Sequence, residues 1–91
     1  MIHIVTYDIQ DDKIRNRASK ILEDYGIRVQ ESVFECNLDS AKYSEMLGRL
    51  KELNHGDISI RIYPVCKTCY SKAIGIGEVK SYPGIKGYEI V

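Results

Sequence analysis

Apolar side chains recur along this chain at two spacings, and each spacing predicts an element. Four of the five residues from Ile2 to Thr6 are β-branched, so the run Ile2-His3-Ile4-Val5-Thr6-Tyr7-Asp8-Ile9-Gln10 predicts a buried strand that stops at the acidic cluster Asp8, Asp11 and Asp12. Ile14, Ala18, Ile21, Leu22 and Tyr25 then recur at helical spacing, with Asp11 or Asp12 as the capping residue and Gly26 as the stop. From Arg28 to Leu38 the chain is extended by propensity, but the apolar position moves from odd (Val29) to even (Phe34, Cys36, Leu38). A strand of period two cannot change faces without a break, so this stretch predicts two short strands or one strand kinked near Ser32 and Val33.

Asp39-Ser40 offers the next helix cap, Tyr43, Met46, Leu47, Leu50 and Leu53 form a second helical stripe, and Asn54-His55-Gly56 ends it. Ile58, Ile60 and Ile62 alternate with polar or amphipathic residues, a half-buried strand whose pairing Pro64 limits. Cys66-Lys67-Thr68-Cys69-Tyr70-Ser71 predicts a turn or short helix, Ala73 to Gly77 a strand weakened by its glycines, Tyr82-Pro83-Gly84 a turn, and Gly87 to Val91 an edge strand.

With the break counted, the order is strand, helix, strand, strand, helix, strand, followed by one or two tail strands. That is an α+β ferredoxin-like βαββαβ sandwich, with two helices on one face of an antiparallel sheet, spanning residues 1–91 as a single domain. Its other sheet face needs a cover. A homodimer packed sheet to sheet, with the tail from about residue 66 to 91 completing it, meets that need.

Composition narrows the functional classes. The 91 residues are 44% hydrophobic and 29% charged, ordinary for a globular chain, with room for one core but not for a deep pocket besides. No apolar run approaches the roughly 20 residues of a membrane span. The first strand is too short for a secretory signal, so a cytoplasmic protein without membrane contact is expected. A formal net charge of zero argues against a uniformly basic nucleic-acid coat. Three cysteines are too few for a disulfide scaffold, and their odd number fits a reducing compartment. Seven tyrosines against one phenylalanine suggest several half-exposed rings with the hydroxyl in water.

Two features can carry chemistry. Asp8 stands at the carboxyl end of a central strand, where ligands of α/β sheets collect, and can hold a cation, activate water, or simply open the following turn. Beside it the first helix presents Lys13, Arg15, Arg17 and Lys20, a basic stripe or a solvated face with local pairs from Lys20 to Glu23 or Asp24. His3 lies at the far end of the strand and His55 in a helix stop, so neither is a candidate base. Cys66-x-x-Cys69 supplies two of the four ligands a structural zinc needs, and reads as half a zinc site, a redox pair, or incidental thiols at a turn.

Tyr7-Asp8-Ile9-Gln10-Asp11-Asp12-Lys13-Ile14-Arg15-Asn16-Arg17, then Tyr25 to Cys36, then Arg61-Ile62-Tyr63-Pro64, resemble the CRISPR-associated protein two family in order and spacing; beyond Pro64 the match is loose. The resemblance implies a homodimer in which Asp8 from both protomers holds Mg2+ or Mn2+ for phosphodiester hydrolysis of RNA or double-stranded DNA. It also implies a CRISPR integrase subunit as partner. Arg15, Arg17 and Arg28 fall on family positions linked to activity or site architecture, and guanidinium suits phosphate contacts. Tyr7 and Phe34 are expected to support the site or the dimer, Phe34 as packing rather than as a base-stacking platform. The leading expectation is therefore a metal-dependent endonuclease in CRISPR spacer acquisition and antiviral defence. The alternatives are a non-catalytic DNA-binding bridge between integrase dimers, and a toxin-like ribonuclease resembling virulence-associated protein D.

Overall fold

The computed structural model describes residues 1–53 and 56–80 and the backbone of 89–90. Four antiparallel strands, β1 (Ile2–Ile9), β2 (Ile27–Gln30), β3 (Val33–Asn37) and β4 (Ile58–Val65), form a sheet in the order β2-β3-β1-β4. Helix α1 (Asp12–Glu23) carries the chain from β1 past β3 to β2, and α2 (Ser40–Lys51) carries it from β3 past β1 to β4. This is the ferredoxin-like sandwich expected from the order of elements.

The central place of β1 follows from its pairing. Ile2 to Ile9 face Val65 to Ile58 of β4, and Ile2 to Thr6 face Asn37 to Val33 of β3. Because successive side chains alternate, Val5, Tyr7 and Ile9 share one face with their partners Phe34, Ile62, Ile60 and Ile58. That face meets Ala18, Leu22, Met46 and Leu50 of the helices in the core. The apolar slip near Ser32 is a two-residue turn between β2 and β3, with an irregular register between Arg28 and Gln30.

Side-chain caps set both helix starts. Asp11 accepts the Ile14 N–H at 3.0 Å, and Asp39 accepts the Lys42 N–H at 2.8 Å. Gly26 follows the end of α1, but its φ is not positive and its role is close approach. A Cβ there would lie 2.2 Å from the Glu35 carbonyl oxygen of β3. Gly56, at φ +71°, turns the chain into β4. Asp24 pairs across to Arg49 of α2 at 2.9 Å rather than with Lys20. Tyr7, Tyr25 and Tyr70 are buried with their hydroxyls hydrogen-bonded, whereas Tyr43 is half-buried and Tyr63 exposed, so the expectation of half-exposed rings holds for part of the set.

Among the described residues, the opposite sheet face is covered at one end. Helix α3 (Lys67–Ser71) brings in Tyr70, which is 2% exposed and whose hydroxyl donates to Glu35 Oε1 at 2.7 Å. The tail therefore begins by docking on its own chain through α3. Beyond it β5 (Ile74–Gly75) pairs in parallel with β6 (Glu89–Ile90) as a separate two-stranded sheet, so residues 89–90 do not form an edge of the main sheet. Ile74 and Ile76 stand 61% and 80% exposed. The stop at Asn54-His55, the turn at Tyr82-Pro83-Gly84 and the remainder of the Gly87–Val91 segment lie outside the described residues. Among the described residues no helix is long and apolar enough to cross a membrane.

Candidate active site

Strand alternation decides what reaches the end of β1. Tyr7 and Ile9 turn into the core, and Asp8 between them projects from the sheet face that carries no α1 or α2. Asp8 is exposed, and the Gln10 amide lies 3.5 Å from its Oδ1, at the limit of a hydrogen bond. A carboxylate so lightly held can turn its oxygens to a ligand at little cost.

The strand end, the first half of α1 and the β2–β3 turn enclose a cleft of about 470 Å³ that includes Asp8, Arg15, Ser19, Arg28 and Ser32 in its walls. Asp8, Arg15 and Arg28, separated by up to 20 positions in sequence, are thus brought together. Both arginines are partly committed to the frame. Arg15 Nη1 donates to the Ile9 and Gln10 carbonyl oxygens at 3.1 and 3.3 Å, and Nη2 pairs with Asp12. It ties down the backbone that leaves Asp8. Arg28 Nη1 donates to the Glu31 carbonyl at 2.6 Å, Nη2 donates to Ser19 Oγ, and the guanidinium lies 5.2 Å from the Phe34 ring centroid. A guanidinium has five N–H donors, so each arginine retains donors for an anion while its orientation is set by these bonds.

Arg17 lies elsewhere. At 3.6 residues per turn it points about 160° from Arg15, and it borders a separate groove with Lys20, Arg49 and Glu52. The expected basic stripe is therefore split: Arg15 faces the cleft, and Arg17 and Lys20 face outward.

Tyr7 and Phe34 form the floor. Phe34 is fully buried, which removes it as a base-stacking platform, and its ring lies 6.3 Å from that of Tyr7. The Tyr7 hydroxyl donates to the Glu31 carbonyl at 3.3 Å, so that carbonyl gathers Tyr7 and Arg28 onto one turn. Ser19 and the Glu31 carbonyl went unread in the sequence. Ser19 left a trace, as a polar residue one turn after Arg15 beside the buried Ala18, whereas a backbone carbonyl leaves none.

The donor set can be tested against a metal. Asp8, Gln10 and Ser32 offer oxygen, which suits Mg2+ or Mn2+ rather than zinc. Among the described residues no group of three His, Cys, Asp or Glu side chains forms a cage. Magnesium usually keeps several waters and takes one or two protein carboxylates. The site fits such an ion when a further carboxylate arrives from outside this copy of the chain. Cys66 and Cys69 stand apart from the cleft's walls, and no third described ligand joins them. His3 is buried at the opposite end of β1, stacked on Tyr43 at 4.4 Å between ring centroids.

A sequence model described as "CRISPR associated protein Cas2" matches residues 1–73. A protein of Methanospirillum hungatei named CRISPR-associated endoribonuclease Cas2 2 is 38% identical over 84% of this chain and 85% of its own length. The crystal structure of Streptococcus pyogenes Cas2 superposes with a TM-score of 0.68 at 36% identity, covering 74% of this chain and 88% of that one. A chain from a partial Cas6-RT-Cas1–Cas2 complex superposes with a TM-score of 0.64 at 26% identity, covering 94% and 93%.

Proposed function

Because the chain belongs to the CRISPR-associated protein Cas2 family, we propose that it is an endonuclease of CRISPR spacer acquisition and antiviral defence, hydrolysing phosphodiesters of RNA or DNA at Asp8 in the cytoplasm. The observation that carries this reading is an exposed, lightly held carboxylate at the rim of a cleft walled by two oriented arginines. Asp8 from each of two protomers holds Mg2+ or Mn2+ in a homodimer formed through the sheet face that α1 and α2 leave open. When held there, such an ion would supply positive charge against that building on the phosphate oxygens. The remaining N–H donors of Arg28 and Arg15 contact the phosphate from the cleft wall, while Tyr7 and Phe34 keep the floor rigid beneath them. Arg17, on the outer face of α1, contacts backbone phosphates flanking the cleft. Recognition runs through the nucleic-acid backbone, whose phosphates the arginines of the cleft and of α1 suit. The exposed Ile74 and Ile76 support a tail that is buried against the second protomer.

The likeness to a chain from a Cas1–Cas2 complex supports the CRISPR integrase subunit as partner and favours a second reading. In it the dimer bridges integrase subunits on duplex DNA and Asp8 is idle.

Asp8→Asn separates the two. Its exposure makes the expected stability change less than about 0.5 kcal/mol, so the variant remains folded. Metal-dependent cleavage is expected to vanish while integrase binding persists. Undiminished cleavage by the pure, folded variant would remove the nuclease mechanism, and absence of cleavage by the unaltered protein with RNA and DNA would leave the bridge.

A further inference from the structure

The three cysteines fall into two chemical classes. Cys36 is fully buried in the core, and burial, with the neighbouring Glu35 charge, pushes its thiol up to about 11, where it is inert at neutral pH. Cys66 and Cys69 are both exposed and share one turn. Cys66 is the N-cap of α3 and its sulfur accepts the Cys69 backbone N–H at 3.3 Å. This is the N-cap half of a capping box, and it places the side chain of the third helical position, Cys69, beside the capping sulfur.

We propose that Cys66 and Cys69 are a reversible dithiol–disulfide pair, a modification site for small-molecule disulfides with Cys66 as the attacking sulfur, and that closing it pins α3 to the sheet.

The chemistry follows from the same contacts. The Cys69 backbone N–H, and after it the Cys69 thiol, stabilise the Cys66 thiolate and hold its thiol below the ordinary range, while the bond to Cys66 pushes the Cys69 thiol up. Cys66 is thus the better thiolate and Cys69 the resolving partner. The Cys66 thiolate attacks one sulfur of a disulfide RSSR; the S–S bond breaks, RS⁻ leaves and takes up the proton that Cys66 released. Cys69 then loses its proton to water and attacks the Cys66 sulfur of the mixed disulfide, and the second RS⁻ leaves and is protonated. Two electrons and two protons pass from the dithiol to RSSR, which becomes two RSH.

The consequence is structural. Tyr70, adjacent to Cys69, donates its backbone N–H to the Cys66 carbonyl at 2.9 Å and its hydroxyl to the buried Glu35 at 2.7 Å. A covalent ring through Cys66 and Cys69 closes the turn that presents Tyr70 to the sheet. Neither the nuclease nor the bridge reading is needed for this.

The test uses the whole folded chain with excess oxidised glutathione, read by intact mass and peptide mapping. Both cysteines are exposed, so Ser at either position is expected to leave the fold intact, and at position 66 it is itself a good cap. The unaltered protein is expected to lose two hydrogens, retain no glutathione, and yield a Cys66–Cys69 linked peptide, with Cys36 still free. Cys69→Ser is expected to trap one glutathione on Cys66, and Cys66→Ser to react severalfold more slowly, because the Cys69 sulfur lacks the backbone N–H that stabilises the Cys66 thiolate. Stable glutathione adducts on the unaltered protein, disulfides between chains, or equal rates for the two variants would each overturn the proposal.

Discussion

The two halves of β1 are one continuous strand with opposite surroundings. At its start, Ile2 and His3 are buried, with the Tyr43 ring stacked on His3 on one face of the sheet and Tyr70 bonded to Glu35 on the other. At its end, Tyr7 and Ile9 are buried, but Asp8 between them is open and Arg15 and Arg28 hold the surrounding backbone through its carbonyls. The lesson is a division of labour: packing from two sides makes the first half a structural anchor, and the anchor lets the last half expose a carboxylate without losing register.

That contrast can be broken most forcefully at the shared floor. Phe34, opposite Val5 at the middle of the strand, serves both halves, and Phe34→Ala is expected to cost about 3–5 kcal/mol in urea unfolding and to weaken the site along with the fold. A loss well under about 1 kcal/mol would mean that the two halves are held independently. At the anchored half, Tyr70→Phe removes the donor to the buried Glu35 Oε1 and is expected to cost about 1–3 kcal/mol with cleavage by the folded protein unchanged.

His3 sharpens the comparison through pH. Burial holds its imidazole below the usual 6.5, opposed by a backbone hydrogen bond to Met1 and reinforced by the nearby N-terminal charge. The unfolded chain therefore binds the proton more readily. The stability contributed is fully present above pH 6.5 and is lost as the pH falls through the lower folded value. His3→Phe keeps a ring against Tyr43 and is expected to flatten the acid-side decline by at most about 1.4 kcal/mol per pH unit. Melting curves from pH 7.5 to 5 check it, and identical slopes would place the protonation elsewhere. The smallest effect belongs to the exposed outer face of α1. Arg17→Ala is expected to leave stability within about 0.5 kcal/mol and to lower the salt slope of duplex binding by about 0.9. An unchanged slope would confine phosphate contacts to the cleft.

Elements whose logic is local were legible. The β-branched opening run, the two capping aspartates and the parity change before Phe34 predicted β1, both helix starts and the β2–β3 break. Each rests on neighbours within four residues. The misreadings share a cause as well. Lys13, Arg15, Arg17 and Lys20 are close in sequence, but the helical period sends Arg15 and Arg17 to opposite sides. Gly26 resembled a helix stop, while its lack of a side chain serves the approach of β3. Tyr70 gave no sign of a partner 35 positions away.

The order of residues alone determined the alternation of strands and helices, and hence that a carboxylate would stand where the first strand ends. Those properties follow from side-chain branching, spacing and capping, which act between near neighbours. Only the tertiary structure decided which arginine shares that carboxylate's cleft, which sheet face α3 seals, and that Arg28 and Tyr7 converge on one carbonyl. Backbone acceptors are alike in every residue, and only folding selects the one a distant side chain reaches.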